Sequence, residues 1–302
     1  MSTSADSAAP RRLFGTRAEG LALLLFTACS WGATWPQAKF LLSEIPPFTA
    51  RAIPNTAGVL FAFAVAVALR ENLRPPPGEW RWLMIYGVLN YGAFTVFSTL
   101  SLVWLKASEA VIIVYTLPIW AGMLAWPMLG ERPTPRRIGA MLLALGGVAL
   151  LVGVGPDAAE WHKLPGIACG FLAAWIFALA TVVAKRHPLH MPPVAGVAWQ
   201  AAFGALPVVV LAVLFEHPHW QRLTPLGFAA FGYIATVPLT IAYLTWFRAL
   251  RLVPASIAAT TVLISPTVGV ISSALLLGDP LGPRQIVALG MTLTGVGLAA
   301  RG

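Results

Sequence analysis

Residues 101–154 read SLVWLKASEAVIIVYTLPIWAGMLAWPMLGERPTPRRIGAMLLALGGVALLVGV, and residues 249–302 read ALRLVPASIAATTVLISPTVGVISSALLLGDPLGPRQIVALGMTLTGVGLAARG. Laid over one another without a gap, at a shift of about 148 residues, the two agree at roughly 16 of 54 positions. Matches of Leu and Ala alone would follow from composition. The matches that decide are Pro118 on Pro266, Leu129-Gly130-Glu131 on Leu277-Gly278-Asp279, Pro135-Arg136 on Pro283-Arg284, and Ala107-Ser108 on Ala255-Ser256. Pro and Gly start, kink and stop helices, so their recurrence at a fixed spacing predicts a duplicated structural unit.

Composition says where that unit resides. Of 302 residues, 58% are hydrophobic and only 10% are charged, and mean hydropathy is +0.78. A water-soluble domain carries about 25% charged residues, so most of this surface must face lipid. The same arithmetic excludes an intrinsically disordered chain, a nucleic-acid binding domain and a disulfide scaffold. The net charge of +9 fits Lys and Arg retained on the cytoplasmic side of a membrane. Cys29 and Cys169 lie in apolar runs without metal-site spacing and read as small buried hydrophobes. Neither a metal nor a cofactor is predicted.

A helix needs about 20 apolar residues to cross the hydrocarbon. Roughly ten such runs occur: 20–42, 47–69, 82–105, 108–129, 135–154, 164–184, 193–215, 225–247, 255–277 and 283–300. Pro-rich connectors punctuate them, as at Pro46-Pro47, Pro75-Pro76-Pro77, Pro192-Pro193 and Pro280 through Pro283. Residues 1–19 form a polar, Ala/Ser-rich cytoplasmic tail, and the apolar run behind it is too long for a signal-peptide core. With the N-terminus inside, Lys and Arg divide about 14 inside against 6 outside, and the reverse topology inverts that bias. Both termini are therefore expected in the cytoplasm. The duplication gives a first repeat over 20–154 and a second over 164–302, each with an odd number of spans. The second repeat must then enter the membrane from the opposite side. The fold class expected is an all-α integral membrane protein of ten transmembrane helices in two inverted five-helix repeats, an architecture that points to alternating access.

Two copies of a five-span unit, each with Pro118 or Pro266, an L-G-E/D turn and a Gly-rich last span (Gly146-Gly147; Gly295), resemble the EamA family of the drug/metabolite transporter superfamily. Ser30-Trp31-Gly32 and Arg51 fit its first copy as well. The resemblance covers nearly the whole chain. It implies a multi-pass transporter of a bacterial-type inner membrane, often an exporter of amino acids or other small metabolites. YddG-like aromatic amino-acid exporters are the nearest functional type, without a close match in their substrate-facing segments.

No carboxylate or histidine falls at mid-depth of a span, and all five His residues are in connectors. An intramembrane acid is the usual proton relay, so facilitated flux or exchange fits better than a centrally proton-coupled pump. Glu131 and Asp279 read as carboxylates complementing the N-terminus of the helix that follows each, and Glu109 as a helix-start carboxylate. Lys39 and Arg51, near span ends, read as snorkelling to the interface. Aromatic residues fall at mid-depth instead: Trp31, Trp35, Tyr91, Tyr115, Trp120, Trp175, Tyr243 and Trp246, with Asn90 adding hydrogen-bonding capacity. Trp31, Trp35, Asn90, Tyr91, Tyr115, Trp120, Trp175 and Tyr243 are the substrate-site candidates. Pro118 and Pro266 are the hinge candidates, each removing a backbone donor within its span. Such a cavity suits neutral or zwitterionic apolar solutes and offers no mid-depth cation to a phosphate. The expected partners are a small-molecule substrate and the lipid bilayer, with no nucleic acid; a monomer is compatible with this reading. A membrane-embedded enzyme, and a proton-coupled transporter of another metabolite class, are the alternatives.

Overall fold

The computed structural model describes residues 16–152 and 158–301. Of the expected N-terminal tail, residues 1–15 lie outside the described residues, and Arg17 to Glu19 are already helical. The helices are α1 (Arg17–Glu44), α2 (Thr49–Ala68), α3 (Glu79–Tyr86), α4 (Phe94–Trp104), α5 (Ala107–Val114), α6 (Leu117–Leu129) and α7 (Pro135–Val152). They continue as α8 (Leu164–Arg186), α9 (Pro193–Phe215), α10 (Pro225–Thr236), α11 (Ala242–Leu250), α12 (Ala255–Val262), α13 (Ile264–Leu277) and α14 (Pro283–Arg301). No strand occurs among the described residues. A π-helical stretch, Gly87–Ala93, joins α3 to α4, and a second, Val237–Ile241, joins α10 to α11. Each stretch that hydropathy marked is helical over most of its described residues. Among the described residues, six helices are long and apolar enough to cross a membrane: Thr49–Ala68, Glu79–Trp104, Ala107–Leu129, Trp161–Arg186, Pro193–Phe215 and Pro225–Leu250. Ile264–Leu277 is a shorter apolar helix. The fold is that of an all-helical, multi-pass membrane protein.

The helix ends follow from their sequence. Pro135, Pro193, Pro225 and Pro283 each open a helix, where a missing N–H costs nothing. The side chains of Thr16 and Thr224 accept the N–H groups of Glu19 and Gly227, both at 3.1 Å. Gly130 and Gly278 end α6 and α13 in the left-handed conformation, at φ 76° and 70°. Beyond them Glu131 N–H bonds to Ala125 C=O and Asp279 N–H to Ser273 C=O, each six residues back, so both helices close with the same wide turn around a left-handed Gly. The repeated L-G-E/D motif is thus one helix-stop device used twice.

Lipid tails are as apolar as Leu, so helix pairing here depends on close packing rather than on hydrophobic exclusion. The principal pairs are α7 with α14, α2 with α9, α1 with α13, α6 with α8, α4 with α8 and α1 with α11. Small residues set the distances. A Cβ on Gly147 would stand 2.7 Å from Ala288 C=O, and one on Gly295 would stand 2.4 Å from Ala140 C=O. Gly204 of α9 lies so close to the first π-helical stretch that a Cβ there would meet that of Tyr91 at 2.3 Å. The main core gathers Trp35, Leu41, Leu102, Ile112, Ile113, Ile234 and Val270 around α5, every residue of which is buried. Neither cysteine belongs to a core: Cys29 is exposed on α1 and Cys169 is only partly covered. A thiol is small and weakly polar enough for an outward, apolar helix face, so the expectation of burial inside the protein does not hold for either.

Candidate transport site

The two π-helical stretches are equivalent under the internal shift of about 148 residues: Gly87–Ala93 projects onto 235–241, which contains Val237–Ile241. A π-helical turn frees backbone groups from their ordinary partners and is frequent at functional sites. In the second stretch Pro238 also removes a donor, and its carbonyl accepts the Trp31 indole N–H at 3.1 Å. Trp31 thereby pins α1 to the point where α10 passes into α11. Its ring meets Tyr243 edge-on at 5.5 Å and Trp246 at 5.8 Å. Tyr243 in turn lies 6.2 Å from Tyr91 of the first stretch. The Tyr233 hydroxyl donates to Ser30 C=O at 3.0 Å, fixing α10 on α1 one residue from Trp31.

Deeper in the core, Tyr115 caps α5 at the break before α6 and lies beside Ser265 and Trp35. Buried polar atoms are nearly always paired, yet Asn90 Oδ1 and Thr240 Oγ1 are buried without a hydrogen-bond partner among the described residues. Asn90 and Thr240 belong one to each π-helical stretch. A cavity of about 10 Å³ is lined by Asn55, Gly58, Tyr91, Ala205 and Leu239, of which Tyr91 and Leu239 are sequence neighbours of Asn90 and Thr240; it has room for one water. This arrangement presents aromatic faces and hydrogen-bonding groups together, without a carboxylate or a histidine among the residues named.

The structure therefore brings Trp31, Tyr91, Tyr243 and Trp246 into one cluster, with Asn90 on the same stretch as Tyr91 and with Trp35 and Tyr115 in the adjoining core. Trp120 and Trp175 stand apart. Trp120 donates to Thr116 Oγ1 at 3.1 Å and packs on Phe171 at 5.9 Å, while Trp175 on α8 is 38% exposed. Pro118 lies in the first turn of α6 behind the break at Tyr115-Thr116, and Pro266 in the first turn of α13 behind the break at Leu263. Thr240 and Ser265 were not singled out from the sequence; the one signal that points to Ser265 is its position directly before a repeated Pro.

The charged residues sit differently from expectation. Asp279 does not serve the helix that follows it: its Oδ2 accepts the N–H and the hydroxyl of Ser108 at the start of α5, at 3.0 and 2.8 Å. Glu131, also expected to complement the following helix, pairs with Lys185 instead. Glu109 does act at a helix start, accepting Lys106 N–H at 3.1 Å, and also pairs with Lys163 at 2.8 Å. Neither Lys39 nor Arg51 snorkels outward. Lys39 donates to Leu102 C=O at 2.5 Å and Arg51 Nε to Thr99 Oγ1 at 3.1 Å. The peptide carbonyl and the hydroxyl inside the bundle provide acceptors that lipid lacks, so both side chains turn inward.

Comparison with known proteins gives the geometry its context. Protein PecM of Dickeya dadantii is 26% identical over 274 residues, spanning 87% of this chain and 86% of PecM. A probable terminal-alkyne amino-acid exporter of Streptantibioticus cattleyicolor is 23% identical, over 92% of each chain. The uncharacterized transporter YoaV of Bacillus subtilis is 21% identical over 78% of this chain and 81% of its own. A solved crystal structure superposes with a TM-score of 0.66 at 21% identity, covering 94% of this chain and 97% of that one, which shows a shared fold. The model of the EamA-like transporter family matches twice, over residues 18–153 and again over 164–301. Matched over nearly all of its length by a family of transporters rather than enzymes, the chain belongs to the EamA-like transporter family.

Proposed function

We propose that this transporter exports small neutral or zwitterionic metabolites, amino acids with apolar or aromatic side chains among them, by alternating access between two inverted five-span repeats. The observation that carries the reading is the pair of π-helical stretches at equivalent positions of the repeat. One holds Asn90 and Tyr91, the other Pro238 and Thr240, and Trp31 and Tyr243 lie between them. Unpaired polar atoms beside ring faces suit a solute with an apolar body and a polar head. The relative named as a probable amino-acid exporter supports the same solute class.

The helix pairings support the inverted arrangement. Exchanging each helix for its equivalent in the other half turns α4 with α8 into α11 with α1, and α6 with α8 into α13 with α1. The same exchange maps α7 with α14, and α2 with α9, onto themselves. A twofold axis in the membrane plane has this consequence, and such repeats exchange their outward and inward conformations by rocking about the shared site. The Lys and Arg distribution supports cytoplasmic termini in an inner membrane.

Counterflow into proteoliposomes tests the solute class. Labelled phenylalanine and leucine are expected to exchange against unlabelled amino acid, and a sugar phosphate is not. Exchange of the sugar phosphate alone would defeat the reading. For topology, a membrane-impermeant thiol reagent applied to intact cells should label His217→Cys and spare Asn72→Cys; the opposite pattern would reverse the orientation.

A further inference from the structure

Arg51 has no part in the site described above, and its surroundings set it apart from every other cation named. It lies in the first turn of α2, whose main packing partners are α9 and α10. Its side chain nevertheless extends to α4, where Nε donates to the fully buried Thr99. Lys39 arrives from α1 on the same turn of α4, at Leu102 C=O. Lys39 lies within reach of the charges of Asp279 and Glu109. Arg51 has no carboxylate partner among the described residues. Glu216, the acid at the head of α2, is committed to the N–H groups of Phe48 and Thr49 and to the Thr49 hydroxyl, at 2.8, 2.6 and 2.8 Å.

A guanidinium carries five N–H donors in a planar fork. Thr99 takes the one on Nε, and the two terminal nitrogens make no hydrogen bond to a described residue. The residue is partly rather than fully covered, and neither terminal nitrogen is among the fully buried atoms that lack a partner. An unpaired cation inside a helix bundle is costly and is stabilised by an anion that reaches it; two parallel N–H donors match a carboxylate. Tyr91 and Thr99 share one continuous helix, about 12 Å apart along its axis at 1.5 Å per residue. The Arg51 side chain ends at Thr99, so the solute itself spans the way from there to the aromatic cluster.

We infer that Arg51 is the docking point for the carboxylate of the transported solute, while the aromatic cluster receives its apolar body. The identity of that body rests on the amino-acid reading above; the anion site does not. Zwitterions and simple monocarboxylates are then bound, and the corresponding amines are bound more weakly.

The full chain, purified in detergent and kept in chloride-free buffer, is titrated with L-phenylalanine, 3-phenylpropanoate and phenethylamine while thermal unfolding is followed. Both carboxylates are expected to raise the unfolding midpoint of the parent at lower concentration than phenethylamine. Arg51→Gln is expected to weaken the response to both carboxylates at least tenfold and to change the amine response little, with Arg51→Lys intermediate. Should Arg51→Gln not fold, Thr99→Val keeps the charge, removes the Nε acceptor, and is expected to weaken carboxylate binding severalfold. Parent-like carboxylate binding in Arg51→Gln or, where that variant does not fold, in both Arg51→Lys and Thr99→Val overturns the assignment, as does a parent that responds to no carboxylate. The two readings fail separately. Counterflow of phenylalanine by Arg51→Gln at the parent's rate and apparent affinity would leave the transport reading standing and remove the anion site. Arg51-dependent binding of 3-phenylpropanoate without phenylalanine binding or counterflow would do the reverse.

Discussion

The carboxylate of Asp279, at the end of α13, holds both the backbone N–H and the hydroxyl of Ser108, 171 residues away at the start of α5. The acid therefore stabilises a helix start in the other half of the chain, and Lys39 lies within reach of its charge. Asp279→Ala is expected to lower stability by about 1–3 kcal/mol, the range for losing a helix cap with a charged acceptor. Asp279→Asn retains an acceptor and should lose less. Thermal unfolding in detergent measures both, and an Asp279→Ala variant as stable as the parent would show that water replaces the cap at no cost.

A reciprocal pair makes the same point more sharply. Glu216, after α9, accepts three hydrogen bonds at the head of α2, and Glu71, after α2, accepts Ala195 N–H at the head of α9 at 2.7 Å. Each helix of this pair is capped from the far end of its partner. Glu216→Ala should destabilise more than Glu71→Ala because it strands more donors, and Glu216→Gln should recover part of the loss. Equal effects in the two alanine variants would refute the ranking.

Much of this was legible in the sequence, but not evenly. Pro at helix starts and Gly at helix stops are local requirements of backbone geometry, so the segment limits emerged within a few residues. The caps were not legible, because Ser108 and Asp279 meet only through tertiary packing and nothing near Asp279 names its partner. Arg51 misled for a related reason. Position near a span end suggests snorkelling, and only the fold brings Thr99 within its reach. Of the aromatic residues, Trp31, Tyr91 and Tyr243 converge, whereas Trp120 and Trp175 share their mid-depth without sharing their direction. Depth follows from counting residues; direction follows from packing. The π-helical stretches, which supply the unpaired polar atoms, have no sequence signature beyond Pro238.

The Gly-rich last spans separate tight positions from loose ones. Gly147 and Gly295 leave no room for a Cβ, whereas one on Gly146 would meet Met291 Cε at 3.3 Å and one on Gly297 would meet Leu263 Cδ1 at 3.5 Å. Gly147→Val and Gly295→Val should push α7 and α14 apart and reduce the amount of folded protein. Gly146→Ala and Gly297→Ala should be tolerated, since flexible side-chain ends can yield. Size-exclusion profiles of the four variants check this, and a monodisperse Gly295→Val would contradict it.

Pro118 and Pro266 follow equivalent helix breaks, so both bends are available to a rocking motion. Replacing both with Ala restores two backbone donors and should stiffen the breaks without impeding insertion. Counterflow is expected to slow severalfold in the double variant at normal protein levels. An unchanged rate would make these prolines packing features only.

The aromatic cluster yields the most direct test of the site. Trp31 has two separable roles: its N–H holds Pro238 C=O, and its ring packs on Tyr243 and Trp246. Trp31→Phe removes the first and keeps much of the second; Trp31→Ala removes both. An aromatic contact is worth about 0.5–1.5 kcal/mol beyond area burial, or about two- to tenfold in apparent affinity. Trp31→Ala should therefore weaken transport of phenylalanine by about that factor or more, and Trp31→Phe by less. Tyr243→Ala, which opens the same cluster, should resemble Trp31→Ala, whereas Trp175→Ala, outside the cluster, should cost less than either. Leucine lacks a ring to stack and should discriminate less between parent and variants than phenylalanine does. Concentration-dependent counterflow resolves these cases, because loss of ring contact raises the apparent Km while loss of the anchor on Pro238 slows the maximal rate. A Trp175→Ala defect exceeding that of Trp31→Ala would move the site to α8.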